Sequence, residues 1–74
     1  MEFQQRVIDE ERELDERTEK LHVFIEDSPL FVKLDKAEQS RLRNQRYIMR
    51  VYRDILRERI TSFERRDSTP RPDA

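Results

Sequence analysis

Residues 27–34 read Asp27-Ser28-Pro29-Leu30-Phe31-Val32-Lys33-Leu34, and they interrupt a pattern that is otherwise helical on both sides. Pro29 disfavours helical geometry at Ser28 and can itself open a new turn with Ser28 as its N-cap. The segment 27–35 therefore predicts a short turn or a single helical turn between two helices. Its apolar side chains are expected to close one end of the resulting hairpin, namely Leu30, Phe31 and Leu34.

Before this turn, the apolar residues recur at spacings of three, four and seven, which is typical of one amphipathic helix. The spacing predicts a first helix over residues 2–26. Its apolar stripe is narrow and consists of Phe3, Val7, Leu14, Leu21 and Phe24, broadened by Ile8 and Ile25.

After the turn, Asp35 and Glu38 form the pattern of a capping box, which predicts the start of a second helix over residues 36–65. Four apolar residues lie on this helix at intervals of seven, and further apolar residues widen the face: Leu42, Met49, Leu56 and Phe63, then Ile48, Tyr52, Ile55 and Ile60. This apolar surface is larger than the first helix can cover, so we expect the excess to contact another subunit.

The sequence thus predicts an all-α fold, an antiparallel two-helix hairpin with a short helical turn between the helices, assembling as a homo-oligomeric bundle. The hairpin is expected to occupy residues 1–66. Residues 67–74 carry serine, threonine and two prolines, which predicts a disordered tail.

Composition narrows the class of protein further. With 74 residues and no cysteine, the chain has a marginal core, no disulfide framework, and a composition suited to a reducing cytosol. Its first residues lack an apolar run, so neither a signal peptide nor a membrane span is expected, and we expect the host cell cytoplasm as its location. Because glycine is also absent, a glycine-rich phosphate loop is excluded.

The residues give little support to catalysis. The chain has one histidine, His22, next to Leu21 near the end of the first helix, where the helix macrodipole favours a charged imidazole. No metal-ligand motif, nucleophile elbow or cofactor motif is present in the sequence. We therefore expect a protein that is not an enzyme and that uses no cofactor.

The two helices carry opposite charge. Residues 1–27 hold ten acidic and four basic side chains, and residues 35–66 hold five acidic and ten basic side chains. The net charge of the whole chain is −1, which counts against a general nucleic-acid binder, because phosphate-driven affinity needs a positive footprint.

The basic residues of the second helix are regularly spaced. An arginine ladder repeats at intervals of three and four: Arg43, Arg46, Arg50, Arg53 and Arg57. Guanidinium groups match phosphate oxygens, and a neighbouring aromatic ring can stack on a base. The candidate ligand-binding residues are therefore Arg43, Arg46, Tyr47, Arg50, Arg53 and Tyr52. The alternative is that the arginines of the ladder form ion pairs with acidic residues. This alternative is favoured, because runs of charged residues are usually paired or solvated faces. The expected partners are Asp9, Glu10, Glu13 and Glu16 or a neighbouring subunit.

Polar residues also recur between the apolar heptad positions of both helices. We interpret them as seam contacts, with Glu10 paired to Arg59 and with Gln45 and Tyr52 hydrogen-bonded across the seam, which would fix register and oligomeric state. The alternative is that these residues line a ligand pocket, because buried polar groups need partners.

The pattern resembles a family of short bacteriophage proteins related to an open reading frame of a crAss-like phage. The resemblance covers roughly residues 3–63 and has the polar markers Arg6, Glu10, Gln45, Tyr52 and Arg59. In size and topology that family is similar to the helical hairpin of phage anti-CBASS and anti-Thoeris sponges, which form oligomers and sequester the signalling nucleotides of bacterial immunity. The resemblance implies architecture, and it transfers no binding residue.

Three hypotheses follow. The first is a phage anti-defence protein that sequesters a phosphate-bearing signal, either a cyclic nucleotide or an ADP-ribose derivative. The second is an interaction module that binds a host protein through the surface around Ile48, Val51 and Ile55. The third is a small DNA-binding regulator that uses the second helix, and the near-neutral net charge counts against it.

Overall fold

The computed structural model describes residues 2–68 and contains two long helices. Helix α1 runs over Glu2–Asp27, a 3₁₀ turn covers Phe31–Lys33, and helix α2 runs over Lys36–Ser68. The two helices pack against each other along the hairpin, and the described residues contain no strand. The predicted all-α hairpin with a short helical turn is therefore confirmed. The predicted tail at 67–74 lies outside the described residues from position 69 onward, and α2 includes residues 67 and 68.

The turn is held by hydrogen bonds from its own short polar residue. The Ser28 N–H donates to the Phe24 carbonyl at 3.2 Å and so closes the last turn of α1. The Ser28 hydroxyl then accepts from the Leu30 N–H at 3.2 Å, and the Ser28 carbonyl accepts from the Phe31 N–H at 3.2 Å. These local hydrogen bonds stabilise the chain reversal. The turn does not require glycine, because no described residue has a positive φ.

The start of α2 has the predicted N-cap. The Asp35 carboxylate accepts from the Glu38 N–H at 2.7 Å, which satisfies one of the free backbone donors of the first turn. The Glu38 side chain does not return the bond; it accepts from Arg41 at 2.8 Å instead. The side-chain amide of Gln39 donates to the carbonyls of Phe31 and Leu34, both at 3.1 Å, and so ties the 3₁₀ turn to α2.

The hydrophobic core runs along the line where the helices meet. It contains Val7, Leu14, Leu56 and Phe63, with Met49 and Ile60 packed against them. Leu56 is fully buried, and the ring of Phe63 meets the ring of Phe3 edge-on at 5.9 Å. Thr18 is also buried, with 1% exposure, and its hydroxyl donates to the Leu14 carbonyl at 2.7 Å. The α1 stripe that meets α2 therefore includes a threonine that an apolar pattern does not reveal.

The closed end of the hairpin is built around one phenylalanine. Phe31 is buried, and its ring meets the Phe24 ring edge-on at 6.0 Å. The expectation that Leu30 also fills this end is wrong, because that side chain is 59% exposed. The 3₁₀ turn is short, and it directs only some of its side chains toward the helices.

The predicted polar seam does not form within the hairpin. Glu10, Gln45, Tyr52 and Arg59 are all exposed, and the recorded side-chain contact of Gln45 is to the Met49 sulfur at 3.9 Å. No Glu10–Arg59 ion pair is present among the described side chains. The contact between the helices is made instead by Val7, Leu14, Leu56 and Phe63. The residues predicted for the polar seam lie beside this contact.

We predict that Leu56→Ala lowers the free energy of unfolding by about 2–5 kcal/mol, because it removes a fully buried side chain and leaves a cavity. Urea denaturation followed by circular dichroism measures the change. Val23→Ala is the matched control, since Val23 is 46% exposed on α1, and its effect should stay within about 0.5 kcal/mol. Equal effects of the two substitutions would contradict the assigned core.

Candidate functional site

The arginine ladder lies on the flank of α2 that borders α1. Its members repeat at three and four residues, so they follow one side of the helix. Beside them, α1 presents a flank with a similar repeat: Glu11, Asp15, His22 and Glu26. The two flanks meet because α1 and α2 run antiparallel, and low residue numbers of α1 lie opposite high numbers of α2.

Toward the open end of the hairpin, two arginines share two carboxylates. Arg57 donates from Nε to Glu11 Oε2 at 2.9 Å and from Nη2 to Asp15 Oδ1 at 3.0 Å. Arg53 donates from Nη1 to the same Asp15 oxygen at 3.2 Å. The hydrogen bond to Glu11 raises the pKa of the Arg57 guanidinium, and the negative charges of Glu11 and Asp15 add to this effect.

The hydrogen-bond donors of Arg53 are used less completely than those of Arg57. Its side chain is 19% exposed, and its Nε is buried without a hydrogen-bond partner. The Asp54 carboxylate lies 3.7 Å from that nitrogen, which is within ion-pair range but too long for a hydrogen bond. The charge of Arg53 is therefore compensated, although one of its donors is not used.

Toward the closed end, Arg46 and Arg50 converge on His22. Arg46 donates from Nη1 to Glu26 Oε2 at 2.8 Å and lies 3.0 Å from His22 Nδ1. The Nη2 of Arg50 lies 3.0 Å from the same imidazole nitrogen. Because a guanidinium can only donate, this geometry assigns a lone pair to Nδ1 and the proton to Nε2 of a neutral imidazole. His22, which the sequence suggested as a surface or helix-end residue, is instead half-buried and contacts two arginines of α2.

Two arginines of the ladder have no carboxylate partner within the described part of the chain. Arg50 contacts the neutral nitrogen of His22 through its Nη2. The Cζ atom of Arg43 lies 5.2 Å from the centroid of the Phe31 ring, a cation–π contact that leaves the positive charge in place. None of the ion pairs found between described residues involves either guanidinium. The positive charge of the ladder is therefore concentrated toward the closed end.

Tyr47 lies between these two arginines on the helix surface. It follows Arg43 by four residues and precedes Arg50 by three, so the three side chains share one face of α2. Tyr47 is 65% exposed, and its ring is accessible to a ligand. We call Arg43, Tyr47 and Arg50 the arginine–tyrosine face. It offers two guanidinium groups for phosphate and one aromatic ring for stacking.

The structure thus divides the six predicted ligand-binding residues into three groups. Arg43, Tyr47 and Arg50 share the arginine–tyrosine face. Arg46 and Arg53 are largely covered and hold carboxylates of α1. Tyr52 follows Tyr47 by five residues, which is about 140° around the helix, and it lies among exposed apolar side chains on another face.

Ion pairing across the hairpin occurs, but with other partners than the sequence predicted. Asp9, Glu10, Glu13 and Glu16 are exposed, and the recorded side-chain bond of Asp9 is to Gln5 on its own helix at 2.9 Å. The carboxylates that face the ladder are Glu11, Asp15 and Glu26. If Thr18 had been counted with Val7 and Leu14 in the buried stripe, the predicted contact face of α1 would have been rotated toward the flank that carries these three carboxylates. The sequence would then have predicted the correct partners of the ladder.

Neither a metal centre nor a membrane-spanning helix is present among the described residues. No group of three or more histidine, cysteine, aspartate or glutamate side chains there is arranged to hold a metal ion. Neither α1 nor α2, as described, combines the length and apolar character that crossing a bilayer requires.

We predict that the contribution of Glu26 to stability disappears in acid. The hydrogen bond from Arg46 lowers the pKa of the Glu26 carboxyl below its ordinary value of 4.5, so the folded state favours the ionised form. That contribution is complete above about pH 4.5 and is lost as the pH falls through the lowered pKa of the folded state. Glu26→Gln should therefore lower Tm at neutral pH and approach the wild type in strong acid.

Thermal melts followed by circular dichroism at a series of pH values measure this difference. Glu19→Gln is the matched control, since Glu19 is an exposed glutamate of α1 outside the ion pairs described. Its Tm should follow the wild type at every pH. A deficit of Glu26→Gln that is the same at neutral and acidic pH would contradict the assigned ion pair.

Comparison with known proteins adds one finding. The family model described as Sequestin matches residues 1–62, which is most of the chain. No curated protein and no solved structure gives a significant match. The relationship to a crAss-like phage reading frame stays a prediction. By the extent of its match, the chain belongs to the Sequestin family.

Proposed function

We propose that this protein is a non-enzymatic phage anti-defence protein that sequesters a phosphate-bearing immune signalling nucleotide. The ligand is a cyclic oligonucleotide or an ADP-ribose derivative, and the protein acts in the host cell cytoplasm as a homo-oligomer of hairpins. The family name supports sequestration as the general activity. Stoichiometric capture requires only a binding surface, so it suits a short chain whose chemistry is dominated by arginine.

The observation that carries the proposal is that Arg43 and Arg50 of the arginine–tyrosine face take part in none of the ion pairs found among the described residues. Arg46, Arg53 and Arg57 already hold carboxylates, so a phosphate would have to displace those groups. Arg43 and Arg50 hold a phenyl ring and a neutral imidazole nitrogen instead. A phosphate can therefore approach them without breaking an ion pair, and charge-assisted hydrogen bonds of this kind are among the stronger ones in proteins.

The spacing of the face suits a ligand with more than one functional group. Arg43 and Arg50 are seven residues apart, which is about 10.5 Å along the helix. Tyr47 lies between them and is exposed. A nucleotide can place phosphate oxygens at one or both guanidinium groups while its base stacks on the ring. Base–aromatic stacking is worth about 1–3 kcal/mol in single-stranded nucleic-acid complexes.

We predict that a panel of cyclic dinucleotides, cyclic trinucleotides, ADP-ribose and cyclic ADP-ribose contains at least one ligand that raises Tm. Binding at 100 times Kd stabilises the folded state by about 2.7 kcal/mol. Arg43→Ala and Arg50→Ala should each weaken that ligand roughly tenfold to hundredfold, because each removes a charged hydrogen bond of about 1.5–3 kcal/mol. Isothermal titration calorimetry measures the loss.

Arg12→Ala is the control for nonspecific charge effects, since Arg12 is an exposed arginine on α1 and is not part of the arginine–tyrosine face. It should bind the ligand as the wild type does. A panel in which no compound shifts Tm at saturating concentration would refute the proposed ligand class. Equal weakening by Arg12→Ala and Arg50→Ala would remove the arginine–tyrosine face as the site.

A second prediction separates the stability of the fold from ligand binding. His22→Glu places a carboxylate where Arg50 now meets a neutral nitrogen. We expect a gain in stability of up to about 1 kcal/mol, as for a partly exposed ion pair, together with weaker nucleotide binding. The two effects have opposite signs because the new carboxylate competes with phosphate for the same guanidinium.

His22→Gln is the matched control, since its amide oxygen can accept from the arginines without adding charge. It should leave the affinity close to that of the wild type. If His22→Glu stabilises the fold and binds the nucleotide as tightly as the wild type, Arg50 is not a phosphate ligand. Tm from circular dichroism and Kd from calorimetry, measured on the same samples, give both quantities.

A further inference from the structure

Helix α2 carries a second stripe in addition to the one that contacts α1. Residues at alternating spacings of four and three form a regular heptad pattern, and we call them the second seam: Arg41, Gln45, Ile48, Tyr52, Ile55, Arg59 and Ser62. Such a 4-3 repeat is the spacing by which helices pair in coiled coils. The core residues of α2 that pack on α1 are different ones, so packing within the hairpin does not explain this repeat.

The centre of the second seam is apolar and open. Ile48 is 62% exposed, Tyr52 43% and Ile55 49%, and Val51 beside them is also exposed. The ends of the stripe are polar, with Gln45 and Arg41 on one side and Arg59 and Ser62 on the other. An apolar centre inside a polar rim is the usual composition of a protein–protein interface.

We infer that the second seam packs against the same seam of a second copy, with the two α2 helices antiparallel and related by a two-fold axis at Tyr52. This inference specifies the interface of the homo-oligomer in the proposed function, and it rests on that part of the proposal. The occupant is a second copy because the stripe is complementary to itself, as an isologous contact requires.

The complementarity is evident when the residues of the second seam are paired in antiparallel order with those of the second copy. In the antiparallel arrangement Ile48 lies opposite Ile55 of the second copy, and Tyr52 lies opposite Tyr52 of the second copy. Gln45 lies opposite Arg59 of the second copy, so an amide oxygen meets a guanidinium group. The outermost position, Arg41, then meets a serine hydroxyl, since Ser62 of the second copy lies opposite it.

A parallel arrangement of the same seams is disfavoured by charge. It would place Arg41 against Arg41 of the second copy and Arg59 against Arg59 of the second copy. Like charges that face each other across an interface oppose association, so the Arg59 pair disfavours that alignment; the Arg41 pair adds less, because Glu38 accepts from Arg41 at 2.8 Å. The distribution of the two arginines therefore selects the antiparallel pairing, while the apolar centre supplies the burial that favours association.

The arginine–tyrosine face stays open in this dimer. Tyr47 and Tyr52 are separated by about 140° around α2, so pairing at Tyr52 leaves Tyr47 directed away from the second copy. Each dimer then presents two nucleotide-binding faces. Tyr52, which the sequence grouped with the ligand-binding residues, belongs to the interface instead.

The absence of cysteine makes disulfide trapping a direct test. Tyr52→Cys, oxidised in otherwise wild-type protein, should give a covalent dimer on non-reducing gels, because residue 52 lies next to its own copy on the axis. Ile48→Cys alone should not, because residue 48 lies four residues from the two-fold axis and its two copies are therefore about 12 Å apart along the helices. Disulfides need Cα atoms within about 7 Å.

Mixing Ile48→Cys with an affinity-tagged Ile55→Cys protein should give the mixed dimer, since these positions face each other. Val23→Cys is the control, because Val23 has an exposure close to that of Tyr52 but lies on α1. Self-trapping of Ile48→Cys and Ile55→Cys would overturn the antiparallel pairing. Trapping of Val23→Cys as efficiently as Tyr52→Cys would overturn the assigned surface.

A measurement without cysteine gives an independent check. Native mass spectrometry of wild-type protein at micromolar concentration should show a dimer or an assembly of dimers. Tyr52→Glu should raise the dissociation constant at least tenfold and keep the helical circular dichroism spectrum. A wild-type protein that is monomeric at all concentrations, or whose seam is covered only by a host protein, would overturn the inference. Nucleotide binding is measured separately by calorimetry, so failure of the dimer is distinguishable from failure of the proposed function.

Discussion

The packing of Val7 and Leu14 on Leu56 and Phe63 is the contact on which the rest of the hairpin depends. It fixes the rotation of each helix about its own axis, and this rotation decides which flanks meet and which face water. The core is small, because a chain of this length buries only about 60% of the surface that it exposes when unfolded. Ion pairs beside the core add to this limited stability, and in the proposed dimer apolar burial between copies would add to it as well.

This rotation gives α2 two flanks with different chemistry. On one flank the guanidinium groups meet the acidic flank of α1, and at the closed end Arg43 and Arg50 form none of the ion pairs found between described residues. On the other flank the apolar centre around Tyr52 stays open. The proposed ligand capture and the proposed self-association thus use separate surfaces, so neither has to compete with the other for side chains.

The features of the fold that were predictable from sequence are those set by local chemistry. Pro29 after Ser28 and Asp35 before Glu38 act within a few residues, and the turn and the Asp35 N-cap of α2 were placed correctly. The expectation that Ser28 is the N-cap of the turn was wrong, because Leu30 holds that position and the Ser28 hydroxyl accepts from the Leu30 N–H. The partners of the arginines were not, because they depend on the rotation of α1. A sparse apolar stripe leaves that rotation uncertain by about one residue, or 100°. The buried hydroxyl of Thr18, satisfied by the Leu14 carbonyl, would have resolved it, but hydropathy gives no signal for it.

His22 explains how one row of arginines can both stabilise a hairpin and remain available to an anion. A carboxylate at this position would hold Arg50 and also cancel its charge. A neutral imidazole nitrogen accepts the hydrogen bond at 3.0 Å and orients the guanidinium, yet it leaves the full positive charge at the surface. Phe31 has the same effect on Arg43, since a ring face attracts the cation without neutralising it. The arginines near the open end are fixed by ion pairs, whereas those near the closed end are positioned by neutral groups. In the proposed function, this difference in partners, rather than the number of arginines, makes the surface available to phosphate.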